Sequence, residues 1–259
     1  MDKKNAKRIF AMGDIHGAYK AMQQCLERSD FDYENDILIQ LGDVVDGYDE
    51  VFECVEELLK IKQVIAIKGN HDVWFSEFLE TDFHPGFWNF GGEGTIISYL
   101  RHSDKKGVYL PSRSSYKTTL HAADIPDTHL DFFRNQKPYY IDKDQCCFVH
   151  GGFDRHFSFW EQQESIYYWD RDLWRDAMHH SNAEADLEAF EIVTKFKKIY
   201  LGHTPTTNWG TDQPLTAFHI TNLDTGAGHS GRLTIMNIDS QEYWQSDPLK
   251  NLYKKNFRN

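Results

Sequence analysis

The sequence predicts an α/β fold built on a parallel sheet, and its first third carries the argument. Residues 8–13, 36–41 and 63–68 are short apolar runs of strand length. Residues 18–28 and 49–60 lie between them and repeat their apolar residues with helical spacing. Strand–helix–strand–helix–strand order points to parallel pairing, because parallel neighbours need a crossover that a helix supplies. Each run also ends in a polar string flanked by glycine, which places chemistry at the carboxyl edge of the sheet.

In the first helix Ala18, Ala21, Met22, Cys25 and Leu26 share one face. In the second, Val51, Phe52, Val55, Leu58 and Leu59 point inward. Asp49 and Glu50 open that helix and Lys60 closes it, as the helix dipole favours. The alternation then breaks. Residues 73–135 are rich in aromatic residues, glycine and histidine, and read as a helical insertion or cap within a single domain spanning 1–259. Most of Trp74, Phe75, Phe78, Phe83, Phe87, Trp88 and Phe90 are expected in the core of that cap, with a minority facing a groove. Strand signals return at 145–150 and 198–202, with a helix expected over 184–196. The runs 215–220, 220–224 and 232–238 read as a β meander, and the last ~15 residues as a polar, loosely docked end.

Composition narrows the function classes. The chain has 259 residues, 40% apolar and 26% charged, the balance of a globular protein. No apolar run approaches the ~20 residues of a membrane span. The formal charge of -12 argues against a nucleic-acid binder, which needs a basic face. Cys25, Cys54, Cys146 and Cys147 show neither zinc spacing nor a disulfide framework, and read as reduced thiols. The apolar stretch near the first residues, Ile9 to Met12, is too short for a secretory h-region, so a cytoplasmic location is expected.

Five strings hold the chemistry: Gly13-Asp14-Ile15-His16-Gly17, Gly42-Asp43-Val44-Val45-Asp46-Gly47, Gly69-Asn70-His71-Asp72, His150-Gly151-Gly152 and Gly202-His203-Thr204. Each follows a predicted strand, so all can converge on one edge. Aspartate, histidine and asparagine offer hard oxygen and borderline nitrogen donors, which suit Mn, Fe, Zn or Mg. Asp14 and His16 can reach one ion, Asp43 can bridge two, and Asn70, His150 and His203 complete the second. Two ions ~3.5–4 Å apart activate a shared hydroxide and clamp both oxygens of an in-line displacement, which is phosphoester hydrolysis chemistry. His71 is then placed to protonate the leaving oxygen, with Asp46 orienting its ring. A lone Gly-Asp pair is an ordinary turn. It is the ordered set of five that points to a site.

Asp-x-His, then 25 residues, Gly-Asp-x-x-Asp, then 22 residues and Gly-Asn-His resembles the calcineurin-like metallophosphoesterases. Further segments resemble the bacterial and bacteriophage-lambda-type serine/threonine phosphoprotein phosphatases. These are Trp88 through Thr95, Trp169-Asp170-Arg171, and Leu223 through Ala227 with Gly231 through Thr234. The resemblance implies a metallophosphoesterase β-sandwich flanked by helices, with a small helical cap. It implies two divalent metal ions, manganese first, with Fe, Zn or Mg also fitting. Asp14, His16 and Asp43 would hold one ion; Asp43, Asn70, His150 and His203 the other. His71 and Asp46 would form the acid pair, and Arg171 matches a phosphate-binding arginine. The implied activity is a phosphoprotein phosphatase-like phosphomonoesterase acting on a phosphoprotein or small phosphoester. The alternatives are a symmetrical diadenosine tetraphosphate hydrolase and a silent binding module on the same scaffold.

One departure is visible. These phosphatases carry arginine after the second aspartate of Gly-Asp-x-Val-Asp-Arg-Gly, whereas here Asp46 is followed by Gly47 and Tyr48. Lys68 and Arg155 are cations near strand ends with two readings, a substitute for that arginine or an ordinary surface cation, and lysine offers a point charge rather than a fork.

Overall fold

Alternation along very short strands decides the architecture. In β1 (Ile9–Met12), Phe10 and Met12 face one apolar layer while Ile9 and Ala11 face another. A strand this short can carry two buried faces only if layers pack on both sides of its sheet. The computed structural model describes residues 7–84, 88, 90–103, 107–112, 115–182 and 190–258.

The chain runs from β1 through α1 (Tyr19–Arg28) to β2 (Ile37–Gln40), then through α2 (Val51–Lys60) to β3 (Val64–Ala66). These strands pair in parallel, Phe10 opposite Leu38 and Ile39 opposite Ile65, as the sequence order implied. Next come α3 (Asn70–Thr81), α4 (Gly92–His102), the hairpin of β4 (Tyr109–Ser112) and β5 (Ser115–Thr118), and α5 (Asp127–Arg134). A second sheet begins with β6 (Tyr139–Ile141) and β7 (Cys146–Val149). After α6 (Glu164–Trp169) and α7 (Asp172–Asn182) it gains β8 (Lys198–Leu201), β9 (Leu215–Ala217) and β10 (Ile220–Asn222). The chain then returns to the first sheet as β11 (Thr234–Asn237) and β12 (Tyr243–Gln245), and α8 (Leu249–Leu252) follows. The sheet orders are β12-β11-β1-β2-β3 and β6-β7-β8-β10-β9.

The sheets face each other across Ala11, Ile39, Leu41 and Ile67 on one side and Cys146, Phe148 and Tyr200 on the other. Phe148 and Tyr200 stack with centroids 5.1 Å apart. Outside the first sheet, Phe10, Met12 and Leu38 pack with Met22, Cys25, Val55 and Leu58 of α1 and α2. Outside the second, Val149, Ile199 and Leu201 pack with Leu173, Trp174 and Ala177 of α7. The result is a β-sandwich flanked by helices. Cys146 and Cys147 point into different layers, as neighbours in a strand must, and all four cysteines are buried and unbridged. Among the described residues no helix is long and apolar enough to cross a membrane.

Three expectations change. The helix expected over 184–196 is absent from 190–196, and 183–189 lie outside the described residues. The C-terminal meander is instead split between sheets: β9 and β10 pair in the second, while β11 joins β1 in the first. Periodicity marks a strand but is blind to the sheet it enters. The polar end is not loosely docked. The Tyr253 hydroxyl donates to Glu50 and accepts from the Lys20 N–H, and the Phe257 N–H donates 2.8 Å to the Gly47 carbonyl. Within 73–135, Phe75, Phe78 and Trp88 are buried, Phe83 and Phe90 are exposed, and Phe87 lies outside the described residues.

Truncating Phe148 to alanine removes a ring shared by both sheets. It should lower unfolding free energy by about 3–5 kcal/mol in urea titrations. A loss below about 1 kcal/mol would mean that the inter-sheet layer is not what joins the halves.

Candidate metal centre and active site

Loops that leave the carboxyl ends of six strands supply the side chains. Asp14 and His16 follow β1, Asp43 and Asp46 follow β2, and Asn70 and His71 open α3 just beyond β3. From the second sheet His150 follows β7, His203 follows β8 and Asp224 follows β10. All of them are buried. The loops are tightly wound: His16, Asp43, Asp46 and His203 all adopt positive φ, between 52° and 66°. Each such non-glycine residue costs on the order of 1–3 kcal/mol and persists only where its surroundings fix it. Flanking glycines permit the close approach. A Cβ on Gly69 would lie 2.1 Å from Asp43 Oδ1, and one on Gly202 would lie 2.1 Å from Asp14 Oδ1.

Asp72 fixes the loop that holds two of these four, Asp43 and Asp46. Its Oδ2 accepts from the backbone N–H groups of Asp43 (2.9 Å) and Gly69 (3.0 Å) and from Gln136 Nε2 (3.0 Å). Its Oδ1 accepts from the Val44 N–H at 3.0 Å. The loop after β2 is thereby tied to the start of α3. Burial and the nearby Asp43 push the Asp72 pKa up to about 6.

Asp43 lies between histidines from both sheets. Its Oδ2 is 3.6 Å from His16 Nε2, and its Oδ1 is 3.4 Å from His150 Nε2. Burial opposes its charge, yet the rings of His150, His71 and His16 hold its pKa well below the usual carboxylate range. Two groups here have donor atoms close enough to share an ion: His16 with Asp43 and His71, and Asp43 with His150 and His203. Asp43 belongs to both, the position expected of a bridging ligand. Asn70 Oδ1 lies 3.1 Å from His150 Nε2, beside the second group. Asp14 stands slightly apart, with Oδ2 4.0 Å from His16 Nε2, and also accepts from the His203 N–H at 3.0 Å.

The donor chemistry fits divalent cations. His16 Nδ1 faces the Val45 carbonyl at 3.0 Å and His150 Nδ1 faces the Leu41 carbonyl at 2.8 Å. A carbonyl only accepts, so Nδ1 carries a proton and Nε2 is the atom each ring turns inward, on His16 as a lone pair and on His150 as an N–H whose proton a cation would displace. Asp14 Oδ1 and His203 Nε2 are buried without a hydrogen-bond partner among the described residues. Burial and the neighbouring Asp224 raise the Asp14 pKa well above normal, and burial with Asp43 among its neighbours takes Asp224 up to about 6. Burial opposes charge on His150, but Asp43 and Asp14 lift its pKa to about 9. Burial and nearby cations lower His16 and His203 well below the usual range. Crowded carboxylates and inward lone pairs are the electrostatics of a cation site.

The structure brings His71 and Asp46 together, with His71 Nδ1 2.9 Å from Asp46 Oδ2. Asp46 Oδ1 accepts from Trp88 Nε1 (2.8 Å) and from the Thr95 hydroxyl (2.7 Å), and the Asp46 N–H donates to Thr95 Oγ1. Two residues of the Trp88–Thr95 segment therefore act by holding Asp46, while Asn89 lies outside the described residues.

A cavity of about 220 Å³ opens over these groups, bounded by His16, Asp43, Asn70, His71, Arg171, His203, Asp224, His229 and Arg258 among others. Arg171 Nη1 donates to the His203 carbonyl (2.6 Å) and the Thr204 hydroxyl (3.1 Å), which fixes the guanidinium at the cavity wall. Lys68 and Arg155 do not line it, and Arg155 is bound to Asp176 at 3.1 Å. Sequence reasoning assigned no role to Asp72, Asp224, His229 or Arg258. Asp72 and Asp224 sit inside strings already singled out, but no sequence pattern announces Arg258.

Trp74, Phe90 and Trp169 form a line of rings beside the cavity. Trp74 is 4.7 Å from the His71 ring, 6.3 Å from Phe90 and 5.4 Å from Trp169. Phe90 and Trp169 are 56% and 42% exposed, so their faces are open to a ligand.

Residues 7–207 match the family described as Calcineurin-like phosphoesterase. Over 72 residues, 28% of this chain, the sequence is 31% identical to "Serine/threonine-protein phosphatase 1" of Salmonella typhimurium. The alignments span 33% of that relative and 62% of "Serine/threonine-protein phosphatase 2" from the same organism. "Bis(5'-nucleosyl)-tetraphosphatase, symmetrical" of Coxiella burnetii is 23% identical over 93% of this chain and 92% of its own. A crystal structure of a candidate diadenosine tetraphosphatase superposes with a TM-score of 0.60 at 14% identity, covering 96% of both chains, a likeness of fold.

Asp43→Asn should lower the metal retained after dialysis against a weak chelator at both positions together, because it removes one ligand common to both groups. Full retention of both ions would show that Asp43 does not bridge them.

Proposed function

The chain belongs to the calcineurin-like phosphoesterase family, and from that premise we propose that it is a dinuclear-metal-dependent phosphomonoesterase of the serine/threonine phosphatase type. The observation that carries the reading is the Asp46–His71 pair set against two histidine–aspartate groups that share Asp43, under one cavity with Arg171. Asp14, His16 and Asp43 would hold one ion, and Asp43, Asn70, His150 and His203 the other, with manganese the first choice. When bound, such ions supply Lewis-acid activation of water and neutralise phosphoryl charge.

The chain's own groups do the rest. Arg171 uses Nη1 to brace itself on the second sheet and keeps the remaining donors of its fork for phosphoryl oxygens. Asp46 holds the His71 ring by Nδ1, so Nε2 delivers a proton to the leaving-group oxygen. Trp88 and Thr95 saturate the other Asp46 oxygen and keep the carboxylate from turning away. Residues 73–135 act as a cap that brings Trp74 and Phe90 beside the site. The substrate is a phosphoprotein or a small phosphoester, met in the cytoplasm.

A second reading, a symmetrical diadenosine tetraphosphate hydrolase, is favoured by the exposed ring line. Open aromatic faces next to a phosphate site stack nucleobases, at about 1–3 kcal/mol per base. The near full-length alignment with the Coxiella tetraphosphatase supports it as well.

Metal-stripped protein should hydrolyse p-nitrophenyl phosphate only after Mn²⁺ is restored, and should release phosphate from phosphopeptides. Production of nucleoside diphosphate from diadenosine tetraphosphate, with phosphopeptides untouched, would instead establish the second reading. His71→Asn should keep both ions and slow hydrolysis of substrates with poor leaving groups by roughly 10²–10⁴-fold, sparing good ones. If it empties the site, His71 is a ligand, as its place in the first donor group allows.

A further inference from the structure

The segment after β12 brings Arg258 to the cavity wall. Asn256 Nδ2 donates to the Gly228 carbonyl (3.0 Å) and the Tyr48 hydroxyl (3.2 Å), and the Phe257 N–H donates to the Gly47 carbonyl (2.8 Å). These contacts aim Arg258 at the metal groups. Its side chain runs in a slot that glycines leave open. A Cβ on Gly91 would lie 2.7 Å from Arg258 Cγ, and one on Gly228 would lie 2.3 Å from Nη1. A Cβ on Gly47 would lie 3.5 Å from Cδ, so the guanidinium enters beside the position where the sequence lacks an arginine.

Among the described residues no carboxylate forms an ion pair with Arg258. Its Nη1 instead donates to His16 Nε2 at 2.6 Å, and it borders the same cavity as Arg171. Two guanidinium groups without ion-pair partners, over a floor of potential metal ligands, make a site for a compact dianion. His16 Nε2 serves one partner at a time, so a metal-loaded site leaves the Arg258 fork free to turn into the cavity.

We propose that Arg258 is a second phosphoryl-binding residue of this site, delivered from the far end of the sequence and facing Arg171 across the bound group. The proposal rests on the phosphoester reading above and names the residue that supplies its second cation. Arg258 contributes a planar pair of donors that neither Lys68 nor Arg155 can bring to the cavity.

The test is calorimetric titration of the full-length, Mn-loaded chain with inorganic phosphate, alongside metal content, melting temperature and p-nitrophenyl phosphate kinetics. Arg258→Ala should weaken phosphate binding about 10- to 100-fold, the range for losing charged hydrogen bonds, with both ions retained and KM raised. Arg258→Lys should recover part of the loss. Asn256→Ala, which frees the anchor but keeps the guanidinium, should weaken phosphate less than Arg258→Ala does. Unchanged phosphate affinity in Arg258→Ala overturns the proposal while leaving the hydrolase reading intact if the parent protein turns over. Tighter Mn²⁺ binding with unchanged phosphate affinity also overturns it, making Arg258 only a plug on His16. Loss of metal together with phosphate would show a structural role and overturn it too. A parent protein that neither binds phosphate nor hydrolyses any phosphoester defeats both readings at once.

Discussion

The Asp43 carboxylate sits where the carboxyl edges of two sheets meet, with one oxygen toward His16 of the first sheet and the other toward His150 of the second. Among the described residues one parallel bridge, Ile67 to Lys137, ties the end of β3 to the segment entering β6, and an apolar layer packs the sheets together. Polar groups add links across the edges at the site. Asp14 repeats the link by accepting the His203 N–H from across the seam. The cluster is buried and rich in like charge, so its stability is coupled to whatever cations it holds. Removing one partner from a buried charged set leaves the others uncompensated, which is more costly than losing one contact.

That arrangement explains why the loops are strained and why they persist. His16, Asp43, Asp46 and His203 take left-handed backbone conformations, and two of the four are in the loop that Asp72 grips. Asp72 lies in the first turn of α3, where backbone N–H groups and the helix dipole favour a carboxylate. Its ties to Gly69 and Asp43 make the start of the helix and the loop after β2 one unit. The side chains that converge are thus held by residues that never reach the cavity.

The sequence made the parallel half of the first sheet readable because β1, α1, β2, α2 and β3 are contiguous and locally periodic. The clustering of Asp14, Asp43, Asn70, His150 and His203 was readable because each follows a strand, and strand ends gather at one edge. Left-handed φ values were legible only indirectly, through neighbouring glycines. What failed was non-local. The crossing from β10 to β11 changes sheets, and nothing between residues 223 and 233 signals it. Arg258 meets His16 across 242 positions of sequence, beyond the reach of any local pattern. The final residues looked like an unattached end because their partners, Glu50, Gly47 and Gly228, belong to loops that come together only in three dimensions.

The crossing between sheets has a consequence for how the molecule is made. Residues 223–233 pass beneath the cavity and supply Asp224, Gly228 and His229 to its wall. A nascent chain that has formed only β1, β2 and β3 presents Asp14, His16 and Asp43 with an open flank and no His203. Closing so long a loop is slow, since its entropy must be spent before distant contacts form. The donor set is therefore complete only in a chain whose two sheets have already docked. A divalent cation held by this set would favour the finished fold over every earlier species, because a ligand that binds only the native state shifts the equilibrium toward it.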